Sequence, residues 1–444
     1  MSRALPGPKS REYLERAKKF FAAWGRPGAL EEALAYSPFI VKEARDSLFI
    51  DVDGYEYIDF MSGWASNNVG NVHPEVLEVV IKALKEVGFC YNHYLAVELA
   101  EKLVEVTPKN LTRVRYEVSG TEAAEGAVSF ALAYTKRPAI ITFIGQYHGD
   151  SIGARLLGSV TPDRKRYCEA LYGSGVLFAP YPVSFNIPGG MSHEEYGEFC
   201  LDFIERQILK SILTPDRIAG VLLEPMMAEG GNWIPPPNFI RGLRKMCDEY
   251  GWVLIDDEVL TGIGRTGKMW GIEHYGVDVD ILVTAKGLTG GLIPIGAVVG
   301  SEEVMGETFA FSGSTFAGCP AGCAAAIKTF EIIERERLLE RAARLGEKAL
   351  KRMKEWVDDY ELVGDARGVG LLLAITIVDK DGKESKKLAR EVYIEATRQG
   401  VRAIWDDEPH IRIYPPLTIS EELFDRGLTM IENAVKVVER SMAA

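Results

Sequence analysis

The chain has 444 residues, enough for two or three domains, and its hydrophobic fraction of 47% is ordinary for a globular protein with a sizeable core. The 64 acidic residues outnumber the 51 basic ones and give a formal net charge of −13, which argues against nucleic acid or an anionic membrane surface as a partner. The sequence contains no run of about 18 apolar residues of the kind that spans a membrane, and its first residues lack the apolar core of a secretory signal. The six cysteines are scattered, so we predict a reduced, cytoplasmic protein without a metal site.

The N-terminal part of the chain is predicted to begin with a helix from Ser10, its cap, to Trp24. An extended stretch follows from Phe39 to Ile58, with a turn at Asp53 and Gly54. Two further helices are predicted, the first starting at Pro74, where proline suits the first helical turn, and the second over Ala96–Val106.

From residue 113 onward, strand patterns alternate with helical ones, which is typical of a mainly parallel sheet with helices on its faces. The predicted strands are Arg113–Val118, Ala139–Phe143, Ile218–Leu223, Trp252–Asp256, Ile281–Ala285 and Ile295–Val299. The predicted helices are Thr121–Thr135, Glu194–Leu209 and Asn238–Tyr250. The least regular stretch is Val160–Ser192, which is rich in glycine and proline.

The pattern changes after Pro320, where a long helical pattern runs to about Asp359. A smaller unit follows, and its predicted elements are strands at Leu371–Val378 and Val401–Ile404, a helix at Lys386–Gln399 and a closing helix from Ser420. We therefore predict an α/β protein with an N-terminal segment at 1–60, a large domain at 61–319 and a small C-terminal domain at 320–444 to which the N-terminal segment also belongs.

Two of the predicted buried strands end in side chains that can carry chemistry. The run from Trp252 to Ile255 is followed by Asp256, Asp257 and Glu258, and the run Ile281–Ala285 is followed by Lys286. In open α/β sheets, ligands bind outside the carboxyl ends of the strands. An acid and a lysine presented together suit a cofactor that is a cation at one end and an aldehyde at the other, which describes pyridoxal phosphate.

Other strand ends carry further candidate site residues, and each of them also has an ordinary structural interpretation. The turn Ser119–Gly120–Thr121 opens a helix and could bind phosphate there, although Ser119 could also be a simple cap. Tyr147 could stack on a heteroaromatic ring, or it could pack locally in its loop.

The charged residues near other strand ends also allow both a functional and a structural interpretation. Glu224 and Glu229 follow another strand, where solvated loop glutamates are the commoner case. Arg412, in the run IRIYPPL at a predicted edge strand, suits a substrate carboxylate, with a structural ion pair as the alternative. A buried glutamate opposite this arginine could neutralise it when no carboxylate is bound.

A competing motif spans Gly262–Lys268, which fits the G-x4-G-K pattern of a P-loop. A P-loop requires serine or threonine at the next position to hold Mg²⁺, and this chain has Met269 there. A nucleotide triphosphatase is therefore a remote alternative.

Taken together, the motifs resemble the class III (ω-amino acid type) aminotransferases of the fold-type I pyridoxal-phosphate enzymes. The resemblance extends from about Asp51 to Leu417, and its specificity comes from eight motifs in the family order. They are DVDGYEYIDF, VSGTEAAE, YHG, EPMMAEGG, IDDEVLTGIGRTGK, TAKGLTGGLIPIGA, GSTFAGCPAGCAAA and IRIYPPLTI.

This resemblance implies roles for individual residues. Lys286 would be the catalytic lysine that forms a Schiff base with the cofactor, Asp257 would pair with the ring nitrogen, and Glu224 would line the site near the lysine. Arg412 would bind the substrate carboxylate with Glu229 as its switch partner. The remaining cofactor contacts implied are Val259 and Tyr147 on the two ring faces, Gly120 and Thr121 at the phosphate, and Thr315 at the phosphate of a neighbouring subunit in a homodimer.

The implied reaction moves an amino group from an ω-amino acid or amine to a 2-oxo acid. Leu260 stands where many members carry glutamine, so a hydrogen bond to the ring hydroxyl is in question. Asp150 stands where members that use 2-oxoglutarate often carry arginine, which makes pyruvate the more plausible acceptor. Donor choice would depend on side chains at the mouth, such as Trp64. A same-fold isomerase, either a racemase or an aminomutase, stays open as an alternative.

Overall fold

The computed structural model describes residues 4–22, 37–161, 175–310 and 313–442. It contains two compact units: Met1–His73 with Glu340–Ala444, here called the small unit, and Pro74–Leu339, the large unit. The small unit thus joins both ends of the chain. Relative to the predicted boundaries at 60/61 and 319/320, residues 61–73 fall in the small unit and residues 320–339 in the large one.

The strands number fourteen in the described residues. In chain order they are β1 Val41–Arg45, β2 Leu48–Asp51, β3 Glu56–Asp59, β4 Leu111–Glu117, β5 Ala139–Phe143, β6 Val176–Ala179, β7 Ile218–Leu223, β8 Val253–Asp257, β9 Ile281–Thr284, β10 Gly296–Ser301, β11 Val363–Val369, β12 Leu372–Ile377, β13 Val401–Arg402 and β14 His410–Ile413.

The α-helices of the described residues are, in chain order, α1 Pro8–Ala17, α2 Pro74–Glu86, α3 Tyr94–Val106, α4 Gly120–Thr135, α5 Ile152–Leu157, α6 His193–Phe203, α7 Pro237–Tyr250, α8 Glu302–Met305, α9 Pro320–Arg335, α10 Leu338–Asp359, α11 Lys386–Gln399 and α12 Glu421–Met442. Helix α6 continues through a π turn at Ile204–Ile208 into a short α-helical segment, Leu209–Ser211. No helix in the described ranges is long and apolar enough to cross a membrane.

The large unit is built on a seven-stranded sheet in the order β4-β10-β9-β8-β7-β5-β6. All neighbouring strands from β9 to β6 are parallel, and only β10 runs antiparallel to its two neighbours. Strands β5, β7, β8 and β9 are buried along their whole length because helices cover the faces of a parallel sheet. The predicted α/β class and mainly parallel sheet are therefore confirmed.

Helices α4 and α7 show why these segments are helical. Ser119 caps α4 through a hydrogen bond from the Glu122 N–H, 3.2 Å long. Helix α7 begins at Pro237 and ends at Tyr250, and it is followed by Gly251, whose φ of 64° is the left-handed conformation that glycine adopts most easily. Together these signals place α4 and α7 within a residue of their predicted starts.

The small unit contains two sheets of its own. One has the order β1-β2-β3-β13 and joins the N-terminal strands to β13 by a parallel pairing with β3. The other is antiparallel, in the order β11-β12-β14, with β14 at one edge as predicted for the IRIYPPL run. Pairs of oppositely charged side chains join α10 to α12 at a constant sequence separation, as in Arg344–Glu421 and Lys348–Asp425.

Several predicted elements were wrong in detail. The long helix after Pro320 is broken between α9 and α10, where Arg337 has a φ of 53°. The first helix begins at Pro8 rather than at Ser10, because the Ser10 hydroxyl accepts the Ile40 N–H instead of capping a helix. That helix ends at Ala17, and the predicted end at Trp24 lies outside the described residues.

Two strands escaped the sequence analysis. Strand β6 lies inside the stretch Val160–Ser192 that was predicted to be irregular, and β11 precedes the predicted strand at β12. Strand β6 is only four residues long and mostly half-buried, so its hydrophobic pattern is too short to be distinguished from that of a loop. Residues 162–174 of that stretch lie outside the described ranges.

Candidate active site

The carboxyl ends of β8 and β9 lie side by side in the centre of the large unit's sheet. Asp257, the last residue of β8, is directly paired with Val283 of β9, and the Glu258 N–H donates to the Val283 carbonyl at 2.9 Å. Lys286 follows β9 by two residues and begins a 3₁₀ turn. The acid and the lysine that the sequence analysis selected therefore come from adjacent strands and the same edge of the sheet.

The Asp257 carboxylate is 4% exposed and is held by two hydrogen bonds. Its Oδ2 accepts from His148 Nδ1 at 2.7 Å, and its Oδ1 accepts from the Val259 N–H at 3.1 Å. His148 Nε2 lies 3.4 Å from the Thr142 hydroxyl. The imidazole thus fixes the orientation of the carboxylate, a role that the sequence analysis missed although His148 stands in the YHG motif that it quoted.

The N-terminus of α4 lies against the end of β8. A Cβ atom at Gly120 would sit 2.8 Å from Val259 Cγ1 and 3.4 Å from the Cβ of Ala285, the residue before Lys286. A Cβ atom at Gly149 would sit 2.5 Å from the Thr121 hydroxyl. Only glycine fits at these positions, so the first turn of α4 is brought close to both strand ends. The first N–H groups of a helix have no intrahelical acceptor and attract anions.

We call the residues around these strand ends the strand-end cluster. Its members are Gly120, Thr121, His148, Asp257, Val259 and Lys286. Lys286 is half-buried and has a φ of 39°, which is strained for a residue other than glycine. Such strain persists where the surrounding structure imposes it, and it concentrates at functional sites.

Glu224 organises the loops beside this cluster. It is 5% exposed, and its two carboxylate oxygens accept the N–H groups of Tyr147 and Ala228, each at 2.9 Å. Burial raises the pKa of Glu224 to about 7. The Tyr147 hydroxyl donates to Asp150 at 3.0 Å. Glu224 thus ties the loop that bears Tyr147 and His148 to the loop that follows β7.

Two further acids lie on the opposite face of β8 from Asp257. Glu258 accepts from the Thr261 hydroxyl and, at 2.7 Å, from the Ile272 N–H, and burial raises the pKa of Glu258 to about 7. Burial also raises the pKa of Asp256 well above its usual value, and the neighbouring Glu258 adds to the shift. Both shifts favour the neutral acids, so this face of β8 carries less negative charge than its sequence indicates.

In the small unit, Arg412 on β14 is only 1% exposed. Its guanidinium forms an ion pair with Asp406, which is itself 8% exposed, and lies 5.1 Å from the centre of the Trp64 ring. We call Arg412, Asp406 and Trp64 the arginine cluster. The sequence analysis proposed Arg412 and Trp64 as substrate-binding residues but did not single out Asp406.

Trp64 is held in an unusual backbone conformation. The four residues from Ser62 to Ala65 all have positive φ values, between 40° and 61°, and form a left-handed turn. Asp59 stabilises the turn by accepting the N–H groups of Met61 and Ser62 at 2.9 and 2.7 Å. A left-handed conformation costs roughly 1–2 kcal/mol per residue other than glycine, so the turn that positions Trp64 lowers the stability of the folded protein.

The remaining predicted site residues lie in turns of the large unit. Glu229 is 7% exposed, between the bridged residues Met227 and Trp233. Thr315 is exposed in the turn before α9. The loop Gly262–Lys268 contains left-handed residues, and the helical segment that follows it is a single 3₁₀ turn at Gly271–His274. A P-loop needs a helix there to bind phosphate, so the triphosphatase alternative lacks its structural basis.

The strand-end cluster fits pyridoxal phosphate. A buried carboxylate held by a histidine can keep a ring nitrogen protonated, because an opposite charge favours the charged form. The lysine at the next strand end can bond to an aldehyde, and the α4 N-terminus with its glycine can bind phosphate. These groups occupy one edge of one sheet, as a single small cofactor requires.

Comparison with known proteins agrees with this chemistry. Residues 31–435 match the family model described as aminotransferase class-III. The chain belongs to this family. It is therefore a pyridoxal-phosphate-dependent enzyme, and the predicted family and cofactor are confirmed.

The relatives of this enzyme include both racemases and aminotransferases by name. The alanine/serine racemase of Pyrococcus horikoshii is 34% identical over 443 residues, covering 97% of this chain and 91% of the racemase. The 5-aminovalerate aminotransferase of Pseudomonas putida is 35% identical over 406 residues, covering 89% of this chain and 93% of that enzyme. A PLP-bound amine transaminase from an uncultivated Pseudomonas species has a TM-score of 0.87 and 28% identity, with 95% of this chain and 99% of that one covered.

Proposed function

We propose that this enzyme transfers an amino group from an ω-amino acid or amine to a 2-oxo acid. The observation that carries the proposal is the position of Asp257 and Lys286 at adjoining carboxyl ends of β8 and β9, beside the N-terminus of α4. The similarity to a 5-aminovalerate aminotransferase over 89% of the chain supports an ω-amino acid as donor. When bound, pyridoxal phosphate supplies a ring that makes the hydrogen on the carbon next to the amino nitrogen acidic.

Each residue of the strand-end cluster has a separate role in this proposal. Asp257 would hold a proton at the ring nitrogen, while His148 keeps the carboxylate in place. Lys286 Nζ would act as the base that takes the proton from the substrate carbon and carries it. The N–H groups of Gly120 and Thr121 bind the phosphate.

Two side chains determine the orientation of the cofactor ring. Val259 would contact one face, and its γ-methyl groups already fill the space next to Gly120. Tyr147 would contact the other face, with its hydroxyl fixed by the hydrogen bond that it donates to Asp150. These two side chains would restrict the orientation of the bound ring, which would favour proton transfer to the lysine.

On the substrate side, we propose that Arg412 binds the carboxylate, because a planar guanidinium can pair with it through two parallel hydrogen bonds. Trp64 would then contact the donor beside this arginine. The predicted roles of Glu229 as switch partner of Arg412 and of Glu224 as a lining residue stay predictions. Asp150 in place of arginine favours pyruvate over 2-oxoglutarate as acceptor.

We also propose a homodimer in which Thr315 reaches the cofactor phosphate of the neighbouring subunit. In its support, Thr315 is exposed and adjoins an exposed aromatic group, in which the Phe316 and Phe89 rings lie 4.7 Å apart and Tyr91 is 66% exposed. Exposed apolar groups of this kind mark association surfaces. Light scattering after size exclusion should give twice the chain mass, and a fully active monomer would contradict the dimer. A cytoplasmic location stays a prediction.

A same-fold isomerase is the second candidate. The observation in its favour is the similarity to an alanine/serine racemase over 97% of this chain. Incubation of one alanine enantiomer with the holoenzyme and no oxo acid separates the two candidates. Loss of optical activity without pyruvate formation would establish the isomerase.

The test of the main proposal is a donor panel of 4-aminobutyrate, 5-aminovalerate, β-alanine, ornithine, alanine and 1-phenylethylamine, each with pyruvate or 2-oxoglutarate. We expect conversion of an ω-amino donor with pyruvate as the better acceptor. Preference for 2-oxoglutarate would contradict the inference from Asp150. No conversion of any donor with either acceptor would contradict the transaminase.

A further inference from the structure

We propose that Glu224 is a positioning residue for the bound cofactor: its carboxylate joins the loop that carries Tyr147 to the loop that carries Glu229, and protonation of that carboxylate breaks the join. This inference rests on the proposed contact between Tyr147 and the cofactor ring. It deepens the proposed function, because it names the group that makes the placement of Tyr147 depend on pH. Glu224 itself does not have to touch the cofactor for this role.

The carboxylate of Glu224 accepts one hydrogen bond from each of two loops. Glu224 directly follows β7 and is almost completely buried. Its Oε1 accepts the N–H of Tyr147, in the loop after β5, and its Oε2 accepts the N–H of Ala228, in the loop after β7, each at 2.9 Å. The bond to Ala228 connects residues four positions apart in one loop, whereas the bond to Tyr147 connects residues 77 positions apart. Of the two, the bond to Tyr147 is therefore the one that joins the loops.

The backbone of Glu224 holds the same loop at a second point. The Glu224 carbonyl accepts from Gln146 Nε2 at 3.0 Å, and Gln146 is completely buried. On the other side of Tyr147, His148 is hydrogen-bonded to Asp257 at 2.7 Å. The turn that presents Tyr147 is thus held on both sides, and Glu224 supplies two of the contacts that hold it.

The two loops also lie in direct contact with each other. A Cβ atom at Gly145 would lie 2.7 Å from Met227 Sδ, and a Cβ atom at Gly230 would lie 2.6 Å from the Gly145 carbonyl. The loop after β7 is closed by mutual hydrogen bonds between Met227 and Trp233, both 2.9 Å long. This closed loop gives the loop after β5 a defined surface to pack against.

Both hydrogen bonds to the Glu224 side chain require an ionised carboxylate. A carboxylate has two acceptor oxygens, whereas a carboxylic acid has one carbonyl oxygen and a hydroxyl group that donates. A protonated Glu224 can therefore accept only one of the two N–H groups. Since Ala228 is kept nearby by the short connection along the chain, we expect the bond to Tyr147 to be the one that is lost.

The groups around Glu224 place this change in the neutral pH range. Burial raises the pKa of Glu224 to about 7, His148 opposes this shift and Asp257 adds to it. Tyr181, whose hydroxyl donates to the Glu224 carbonyl at 3.3 Å, stays neutral because burial raises its pKa well above the usual value. At a pH above this range the carboxylate is ionised and joins the loops, and at a pH below it the acid is neutral and the join is lost.

The experiment measures the dissociation constant of pyridoxal phosphate by absorbance titration of the cofactor-free protein at pH 6 and pH 8.5. Glu224→Gln keeps the shape of the side chain and resembles the protonated acid at every pH, since its amide has one acceptor oxygen. At pH 8.5 we expect it to bind the cofactor about tenfold more weakly than the natural protein, because one charge-assisted hydrogen bond is missing. At pH 6 the two proteins should bind alike, whereas a merely structural role would give the same loss at both pH values.

Glu258→Gln is the matched control. Glu258 is also buried, and burial raises its pKa to about 7 as well, but its hydrogen-bond partners are Thr261 and Ile272. This variant should keep the natural pH dependence of cofactor affinity. A second comparison uses Tyr147→Leu, because Glu224 is proposed to act through Tyr147. In that background, Glu224→Gln should have little further effect at pH 8.5.

Hydrogen exchange of the natural holoenzyme tests the inference even if Glu224→Gln does not fold. After correction for the intrinsic exchange rate, the peptide that contains Tyr147 should be better protected at pH 8.5 than at pH 6. The peptide that contains Ala228 should change little. Equal protection of the Tyr147 peptide at both pH values would overturn the inference, and so would a loss of cofactor affinity in Glu224→Gln that is absent or independent of pH.

Both measurements are independent of turnover. If the donor panel fails while the natural protein and Glu224→Gln diverge only at high pH, the proposed reaction is wrong and the role of Glu224 stands. If the panel succeeds and the two proteins differ equally at both pH values, the reaction stands and the inference is wrong.

Discussion

The strand-end cluster and the arginine cluster each contain a buried acid paired with a nitrogen base, Asp257 with His148 and Asp406 with Arg412, but they are assembled in different ways. Asp257 and Lys286 reach their places because two adjacent parallel strands end there, and short loops add Gly120 and His148. Arg412 receives Trp64 from the other end of the chain and Asp406 from a turn in its own hairpin. The first arrangement follows from sheet topology, and the second depends on contacts that no local pattern encodes.

The largest expected effect is the loss of activity when the lysine of the strand-end cluster is replaced. Lys286→Ala should lower kcat/KM by roughly 10³-fold or more, since the variant loses both the covalent attachment and the proton carrier. Lys268→Ala is the matched control, because Lys268 lies in the loop Gly262–Lys268, is exposed and donates to the Glu273 carbonyl at 2.9 Å. Steady-state kinetics with the best donor of the panel measures both variants, and equal losses would contradict the assignment.

The next effect concerns the acid of the same cluster. Asp257→Asn should lower kcat by roughly 10²-fold or more, because a neutral amide no longer favours the protonated ring nitrogen. Asp256→Asn is the control on the opposite face of β8. Burial raises the pKa of Asp256 well above its usual value, so the amide resembles the carboxylic acid it replaces and activity should change little. A larger loss in Asp256→Asn than in Asp257→Asn would refute the division between the two faces.

A smaller effect is expected at the glycine that joins α4 to β8. Gly120→Ala should raise the dissociation constant of pyridoxal phosphate about tenfold, because its new methyl group would lie 2.8 Å from Val259 Cγ1. Val259→Ala removes the γ-methyl groups that it meets, so the double variant should bind the cofactor more tightly than Gly120→Ala alone. Absorbance titration of the cofactor-free protein measures each constant, and additive losses in the double variant would show that the clash is not the cause.

The last effect is on stability rather than on catalysis or cofactor binding, and it concerns the buried acids of the large unit, in contrast to the paired carboxylate of the arginine cluster. Burial raises the pKa of Glu258 from 4.5 to about 7. The folded protein then binds this proton more tightly than the unfolded chain does. The resulting stabilisation, at most roughly 3 kcal/mol, is complete below pH 4.5 and is lost as the pH rises through 7.

The test of this pH dependence is the melting temperature of the cofactor-free protein at pH 5 and pH 8. Glu258→Gln should show a smaller fall between the two values than the natural protein, because it no longer has a proton to lose. Glu198→Gln, at an exposed position of α6, is the control and should keep the natural pH dependence. An identical fall in all three proteins would mean that Glu258 does not titrate in this range.

The contrast between the two clusters also explains what the sequence could predict. The strands β5, β7, β8 and β9 were placed to within a residue, because short buried runs bounded by turn signals are characteristic of parallel sheets. Once those strands were known, the position of Lys286 beside Asp257 followed from their order. The first turn of α4 was predictable for the same reason, since its cap and glycine follow a strand.

The residues that escaped prediction depend on long-range geometry. His148 and Asp257 are 109 residues apart, and nothing in the local pattern around either one indicates their hydrogen bond. Asp406 stands in a run of three acids that looks like an ordinary solvated loop, and only the bridge at Ile404 and the turn at Asp407 show which acid faces inward. The left-handed turn at Trp64 contains a single glycine, so three of its four residues give no signal of positive φ.

The central claim is that one cofactor is bonded to the lysine after β9 while the acid at the end of β8 holds its ring nitrogen. The most direct test is to reduce the natural holoenzyme with borohydride, digest it and locate the pyridoxyl group by mass spectrometry. The account predicts a single modified peptide, with the group on Lys286. A pyridoxyl group on any other lysine, or none after reduction of a coloured holoenzyme, would contradict it.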